Sequence, residues 1–494
     1  MRRPLLSAVA AAILAGPTAL AFFTGGYFEG PRVWAGAAAW ACVVVLVMLG
    51  TPLPGGRWAR LALGGLATLA AWSLASMAWA RVAGDAYQSA QIVILYVGAL
   101  LAAALVLHDA RIRRTVEPVL ALGATVVIGY GLAGRLLPGI LHFARSVSAE
   151  GRLEQPLTYW NAMGELAALG VVLCARLAGD DTRPRAVRAL AASAAAPLGL
   201  AVYTSFSRGA LFAVVAGLIA LLALVPRREQ LAGIATSVVA GVVCAAAISP
   251  LHGVTNLSGG LGHREHQGVL ALAALMVVML AAAGIQLALI DRLRPAPLPE
   301  SAIVAHRGVI GTVLVCAGLA LAIVVGAHES SGASQHLASG ANRLTTLRSN
   351  RYDYWRVALR AFAQEPLHGV GAGNWQLYWL RWRTITEFAT DAHSLPLQTL
   401  AELGIVGVLA LAAFVIGIVG SAWRSLRRGP ACAGAAAGLV TYFAHAPLDW
   451  DWQMPALTLF AIVLAGLVIA AEEDEDPLGA DRVTALRRSV APRG

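Results

Sequence analysis

The sequence contains no lysine and few charged residues of any kind. All 37 basic side chains among its 494 residues are arginine, charged residues make up 13% of the chain, and 58% of the chain is hydrophobic. A soluble domain carries roughly a quarter of its residues as charged side chains. The composition therefore argues against a water-soluble globular protein.

Cysteine and the short motifs of soluble enzymes are equally scarce. The five cysteines lie in or at the ends of apolar stretches, and no CxxC pair occurs, so neither a disulfide framework nor a zinc site is indicated. Walker A, HExxH and GxSxG motifs are absent, and the glycine-rich run 369–373 follows no strand. We therefore expect no cofactor.

Apolar stretches long enough to cross a bilayer, about 20 residues each, recur along the whole chain. The alternation typical of a β-barrel is absent, so the backbone must satisfy its hydrogen bonds as helices. Spans are placed near 5–23, 33–50, 61–80, 89–107, 116–134, 157–175, 187–204, 208–225, 231–249, 268–290, 303–326, 394–422, 431–447 and 454–471. The sequence thus predicts an all-α, polytopic integral membrane helical bundle of about 14 spans, the first retained rather than cleaved as a signal peptide.

Arginine is distributed unevenly over the connections between these spans. One side, including both termini, contains 23 arginines, and the other contains 14, of which seven lie in the loop 327–393. The positive-inside rule then places both termini in the cytoplasm and the long loop outside. The net charge of +10 is explained by this topology and by contact with anionic membrane lipids, so nucleic-acid binding is not favoured.

The predicted topology divides the chain into four parts. Residues 1–326 form an N-terminal transmembrane bundle, 327–393 an extracytoplasmic loop with interfacial helices, 394–471 the C-terminal spans and 472–494 a cytoplasmic tail. The loop is the most informative part, because it combines arginine with aromatic residues.

Residues 350–364 of this loop can be wound as an amphipathic helix. Its apolar stripe at helical spacing consists of Tyr352, Trp355, Leu359 and Phe362. Arg356 and Arg360 lie away from the stripe and either snorkel to lipid headgroups or contact a ligand. Arg351 borders the stripe, so it is better placed to point into a site.

Other features of the predicted outer face stand out by position. The turn 366–374 is followed by three tryptophans expected to anchor the membrane interface, namely Trp375, Trp379 and Trp382. His393, in the sequence Asp391-Ala392-His393-Ser394 at the mouth of a span, is either a structural hydrogen-bonding group or a base. Arg208, in the tight connection 205–209, either snorkels or holds an anionic partner, because a charge so close to hydrocarbon is costly.

Two clusters have a composition that could suit a metal. Asp449 and Asp451 form a DxD pattern shortly after His445, and we favour a structural or substrate-contacting role for them over a metal site. His263 and His266 form an HxxH pair in a polar segment. A lone pair of this kind is typically solvated, so no metal is expected at either place.

Four short segments, in order along the chain, carry a family resemblance. They are Gly151-Arg152-Leu153 through Tyr159-Trp160-Asn161, then Ser207-Arg208-Gly209, then Arg351 through Trp355 and Pro366 to Gly369-Val370-Gly371, and finally Ala392-His393-Ser394 through Leu397 and Leu400 to Glu402-Leu403-Gly404. Together they resemble the O-antigen ligase and O-antigen polymerase family of bacterial membrane glycosyltransferases over roughly residues 150–455. The chain departs from the family at Pro396, where an aromatic residue is frequent, and in its larger number of spans.

The resemblance implies a GT-C-like bundle in the bacterial inner membrane with its active site on the extracytoplasmic face. It implies a glycan donor carried on polyprenyl diphosphate and transfer without a metal. By the same resemblance, Arg208 and Arg351 bind the diphosphate, and His393 is the base at the acceptor hydroxyl. Further substrate contacts are expected from Arg152, Tyr159, Arg356, Asp391, His445 and Asp449.

These residue types suit the implied chemistry. Guanidinium groups match phosphate oxygens and stay charged, and an imidazole can accept a hydroxyl proton. The sequence therefore predicts an inverting glycosyltransferase that ligates or polymerises a surface polysaccharide. One alternative is a transporter or flippase of lipid-linked glycan, although acidic residues within spans are few and no inverted repeat is evident. The other is a non-catalytic scaffold of the cell envelope.

Overall fold

The computed structural model describes residues 2–144, 146–293, 296–298 and 349–472. Within these ranges the regular structure is helical, and the only β pairing is an isolated bridge between Arg227 and Pro297. Eleven of the described helices are long and apolar enough to cross a membrane. The prediction of an all-α polytopic membrane protein is therefore confirmed.

The helices follow one another with short connections. Up to residue 292 they are α1 (Arg2–Ala21), α2 (Glu29–Met48), α3 (Arg57–Ala75), α4 (Ala83–Val106), α5 (Ala110–Leu136), α6 (Trp160–Gly179), α7 (Arg185–Ser205), α8 (Arg208–Leu224), α9 (Arg228–Ile248), α10 (His252–Thr255) and α11 (Leu261–Arg292). From residue 351 they are α12 (Arg351–Phe362), α13 (Trp375–Trp382), α14 (Leu395–Leu426), α15 (Ala433–His445) and α16 (Pro455–Glu472).

Eleven of the fourteen predicted spans coincide with these long apolar helices. The predicted spans 208–225 and 431–447 coincide with α8 and α15, which have 17 and 13 residues. At 1.5 Å per residue, α15 is only about 20 Å long, shorter than a hydrocarbon core of about 30 Å, so it cannot span a bilayer alone. The predicted span 303–326 lies outside the described residues.

Helix α6 occupies the centre of the bundle. It packs against α5, α7, α8, α9 and α15, and its apolar window is wholly buried, as is that of α16. By contrast, only 22% of the apolar windows of α2 and α11 is buried, as expected for helices whose apolar sides face lipid. A polar residue on α6 therefore lies inside the protein, and its burial calls for a structural or functional explanation.

The predicted helix in the long loop is present as α12, but the face that it buries differs from the predicted stripe. Its buried residues are Tyr354, Val357, Ala358 and Ala361, whereas Leu359 of the stripe is 50% exposed. Alanine and valine let α12 approach α14 closely, so the small side chains face the protein. The bulky stripe is left half-buried or exposed.

The prediction that Trp375 and Trp379 anchor the membrane interface is wrong. Both side chains are fully buried and stack with ring centroids 5.7 Å apart. They are four residues apart on α13, and therefore on one face, and they pack against Tyr354 of α12. Trp382 is only half-buried, and the Arg360 guanidinium lies 4.4 Å from its ring centroid. The aromatic residues of α13 thus build the hydrophobic core shared by α12 and α13.

The glycine-rich turn docks onto a break in helix α14. The backbone is non-helical at Gly404, with φ 63°, and Ile405 N donates to Pro366 O over 2.9 Å. In the same way, Gly371 N donates to Glu402 O over 2.8 Å, and the buried Glu402 carboxylate accepts from Gly373 N. The third and fourth motif segments are thereby joined through their backbones.

We predict that Gly404→Ala destabilises the protein. A Cβ at this position would lie 2.4 Å from Leu367 O, and the left-handed backbone costs a non-glycine residue about 1–3 kcal/mol. Thermal unfolding of the purified protein in detergent should show a lower midpoint. Gly64→Ala on α3 is the matched control, because a Cβ there meets nothing within 4 Å; equal shifts for both variants would contradict the prediction.

Candidate functional site

A buried ion pair joins the long loop to the turn before α16. Arg351 Nη2 donates to Asp449 Oδ2 over 2.5 Å, and Asp449 is fully buried. The other carboxylate oxygen accepts from Tyr159 Oη at 2.7 Å and from Trp450 N at 2.9 Å. Asn161 Nδ2 in turn donates to Tyr159 Oη over 2.7 Å. The loop, the entry to α6 and the 446–454 turn therefore meet at one carboxylate.

The environment keeps this pair ionised. Burial alone would raise the pKa of Asp449, but Arg351, His393 and His445 together hold it below its ordinary value. Burial likewise opposes the charge of Arg351, but Asp449 outweighs it and the pKa of Arg351 is raised. The Arg351 side chain remains 22% exposed. Because a guanidinium has five N–H donors, it can still bind an anion from the open side.

One ring nitrogen of His393 makes a hydrogen bond, and the other makes none to the part of the chain that the structure describes. Its Nδ1 lies 2.9 Å from Asp391 O, and a carbonyl can only accept, so Nδ1 carries the proton in this hydrogen bond and the neutral ring presents its lone pair at Nε2. The ring lies 5.0 Å from that of Tyr354 and 6.2 Å from that of Trp450. Its backbone φ is 51°, a strained value of the kind found at functional sites.

Asp391 serves this arrangement from within the protein. Its side chain is 7% exposed and accepts from Gln398 Nε2 at 3.0 Å and from Thr390 Oγ1 at 2.7 Å. Its backbone carbonyl is the acceptor for His393. The side-chain hydrogen bonds therefore hold Asp391 in place, and its carbonyl orients the imidazole of His393.

Arg208 is the first residue of α8, and its turn lies against His445. A Cβ on Gly209 would be 2.7 Å from His445 Nε2, so only glycine allows this approach. Ser207 caps the helix by accepting from Ala210 N. His445 Nδ1 pairs with Asp451 Oδ2 at 2.5 Å, two residues from Asp449. The turn that carries Arg208 therefore lies against the segment 445–451, which also contains Asp449, the partner of Arg351.

The remaining predicted contacts differ in their surroundings. Arg152 is 7% exposed; its Nε donates to Ala149 O at 2.7 Å, and its guanidinium lies 3.5 Å from the Trp160 ring centroid. Arg356 is exposed and its nearest acidic partner is Asp353 at 3.4 Å. Arg152 is therefore bound to the local backbone, and within the described part of the chain Arg356 makes no ion pair with the hydrogen-bonded group formed by Arg351, Asp449 and Tyr159.

The two carboxylates of the DxD pattern point to different partners. Asp449 pairs with Arg351 and Asp451 with His445, an arrangement that fits a structural or substrate-contacting role. His263 and His266 lie exposed on α11, in a helix instead of a loop. Among the described residues, no three His, Cys, Asp or Glu side chains are grouped in a way that could hold a metal ion.

Sequence reasoning did not single out Trp450, Tyr27 or Glu165. The Trp450 ring contacts those of Tyr159 at 4.6 Å and Tyr27 at 5.5 Å, and so connects the α1–α2 connection to the site. Glu165 is a fully buried acid on α6. An acidic residue inside an apolar span is itself a signal of function, so Glu165 could have been found from the sequence.

An apolar cavity of about 640 Å³ opens between α1, α2, α4 and α16. Small side chains such as Gly16, Ala38 and Ala39 line it, and Phe23 and Trp34 lie at the end nearest the α1–α2 connection. Tyr27 belongs to this connection and contacts Trp450. The cavity therefore reaches the connection whose Tyr27 contacts Trp450, a neighbour of His393.

Comparison with known families gives one match. The family described as O-Antigen ligase matches residues 266–412, a segment that includes Arg351 and His393 but neither Arg208 nor Asp449. No curated protein matches the chain. The matched segment contains α12, which supplies Arg351 of the buried ion pair, and it also contains His393. Residues 266–412 of the chain are thus similar to the O-antigen ligase family.

Proposed function

We propose that the protein transfers a glycan from a polyprenyl diphosphate donor to an acceptor hydroxyl, on the extracytoplasmic face of a bacterial inner membrane and in the synthesis of a surface polysaccharide. The family match supports an O-antigen ligase-like or polymerase-like membrane glycosyltransferase. The observation that carries the finer proposal is the pairing of Arg351 with Asp449, together with a histidine, His393, near enough to act on the charge of Asp449.

In this proposal, Arg351 binds the diphosphate of the donor. A diphosphate leaving group gains negative charge as the sugar–oxygen bond breaks, and a fixed guanidinium stabilises that charge. Asp449 holds Arg351 by one nitrogen, so the group is in place before the substrate arrives. Arg208 supplies the second guanidinium from the α8 turn, and no metal is needed to neutralise the leaving group.

His393 acts as the base in the same reaction. Its Nε2 accepts the proton of the acceptor hydroxyl as the oxygen forms a bond to the anomeric carbon. The bond from that carbon to the diphosphate oxygen breaks, and polyprenyl diphosphate departs with its electron pair. Attack from the face opposite the diphosphate inverts the anomeric centre.

The membrane-facing surroundings support a lipid donor. The cavity between α1, α2 and α16 is lined by apolar side chains, as a hydrocarbon chain requires. It reaches the α1–α2 connection, where Tyr27 contacts Trp450. A donor could therefore place its chain in the cavity and its diphosphate toward Arg351. With both termini in the cytoplasm, as the arginine distribution predicts, this end of the bundle faces outward.

The test is transfer by the purified protein in vesicles that contain a labelled polyprenyl diphosphate glycan and an acceptor glycolipid. Transfer moves the label to the acceptor and releases polyprenyl diphosphate. A flippase would carry the donor across the bilayer and leave it intact, and a scaffold would do neither. Either of these last two outcomes overturns the proposal.

A further inference from the structure

Three buried polar side chains lie behind the Arg351–Asp449 pair with atoms that lack a partner. Both carboxylate oxygens of Glu165, the Nε2 of His445 and the Oδ1 of Asp451 make no hydrogen bond to any residue that the structure describes. All three side chains are 1% exposed or less. Most buried polar atoms in proteins are hydrogen-bonded, so an orphaned group of this size calls for an explanation.

The three side chains form one electrostatic cluster. Glu165 interacts with His445, Asp451 and Asp449, and His445 Nδ1 pairs with Asp451 Oδ2. Asn161 and Glu165 are four residues apart on α6 and share a face. Asn161 reaches Asp449 through Tyr159, and Glu165 lies one turn deeper. Two polar side chains of α6, Asn161 and Glu165, are therefore directed toward the segment 445–451.

The charges of this cluster balance only if it retains a proton. Arg351 neutralises Asp449, which leaves His445 as the single cation beside two carboxylates, Glu165 and Asp451. An unpaired carboxylate in a dry interior takes up a proton in preference to remaining charged. With the imidazole charged and one proton on the carboxylates, the cluster is neutral. Glu165 is the carboxylate without any hydrogen-bond partner, so it is the one that holds the proton.

The cluster also lies against the turn that carries Arg208. His445 Nε2 faces Gly209, and a Cβ on the neighbouring Gly164 of α6 would be 3.0 Å from the Ala210 side chain. A change in the position of His445 would therefore displace the start of α8. We propose that Glu165 is a positioning residue of the transfer site, which retains a proton beside His445 and Asp451 and thereby fixes the turn that carries Arg208.

This inference deepens the proposed function and rests on it for the kinetic test alone. The ionisable groups that interact with Glu165 are Tyr442 and His445 on α15 and Asp449 and Asp451 in the turn, and Arg208 stands next to Gly209 on α8. Glutamine imitates the protonated acid, so Glu165→Gln should retain most of the transfer rate. In the wild-type protein, deprotonation of Glu165 should lower the transfer rate at alkaline pH. The Glu165→Gln variant should not show this decrease in rate.

Leucine cannot replace the polar group. Glu165→Leu should lower kcat for transfer about 10-fold to 100-fold, the cost that removal of a supporting residue commonly has. Glu117→Gln is the matched control, because Glu117 is a buried acid whose contact with Ala435 N lies at the other end of α15. It should keep the wild-type pH profile.

Infrared spectroscopy tests the proton without any assay of transfer. The difference spectrum between the wild-type protein and Glu165→Gln should contain the C=O stretch of a protonated carboxylic acid at neutral pH. The inference is overturned if this band is absent, or if the transfer rate of Glu165→Gln falls at alkaline pH as that of the wild-type protein does. Both outcomes count even if the wild-type protein transfers glycan. A wild-type protein that shows the band and transfers nothing would refute the proposed function instead.

Discussion

Replacing Arg351 with alanine is expected to lower the rate of glycan transfer by about 10²–10³-fold, as is common when one donor to a developing anion is removed. Lysine should restore only part of the rate, because it keeps the charge but loses the planar fork that holds Asp449 and a phosphate together. The measurement is release of polyprenyl diphosphate from a labelled donor by the reconstituted variants.

The alanine variant also leaves Asp449 buried without its cation. Removing one partner of a buried pair typically costs about 3–5 kcal/mol, so lost transfer could reflect lost folding. The double variant Arg351→Ala/Asp449→Asn removes the stranded charge and should recover the unfolding temperature without recovering transfer. If the double variant regains activity, Arg351 acts only through structure and its assignment to the diphosphate is wrong.

Arg360 on the same helix gives the control for charge alone. Its side chain is exposed and stacks over Trp382, away from Asp449. Arg360→Ala removes an equal charge from α12 and should leave transfer close to the wild-type rate. A loss as large as that of Arg351→Ala would mean that α12 acts through its overall charge.

The contrast between these two arginines shows how far the sequence could lead. The position of Arg351 at the border of the apolar stripe indicated that it points inward, and the structure places it against Asp449. The partner itself lies 98 residues away, and no local pattern identifies a contact over that separation. The existence of α12 thus follows from local periodicity, whereas the face that it buries and the pairings that make a site depend on tertiary packing.

The errors of sequence reasoning have the same physical origin. Tryptophans near a membrane surface usually anchor the interface, but Trp375 and Trp379 are buried because α12 and α13 pack on each other. In α12, the small side chains and not the large ones face α14. The break at Gly404 depends on docking of the glycine-rich turn, which the apolar run through α14 does not reveal.

The second large effect is expected at His393, and asparagine is the replacement that separates a base from a structural group. The backbone at His393 has φ 51°, which asparagine tolerates better than most residues. Its amide can also donate to Asp391 O as His393 Nδ1 does. It offers no basic nitrogen, so His393→Asn should unfold near the wild-type temperature and yet lose about 10²–10⁴-fold in kcat.

His368 is the matched control, since its Nδ1 lies 2.8 Å from Gly369 O in the segment between α12 and α13 and its side chain is half-buried. His368→Asn should leave kcat unchanged.

Replacing His393 with glycine should leave a small cavity where the imidazole was, and glycine also accepts the positive φ. Added imidazole should therefore restore part of the transfer rate of this variant. Normal transfer by His393→Asn would assign the proton to another acceptor, because the variant retains the hydrogen bond and the backbone but has no base.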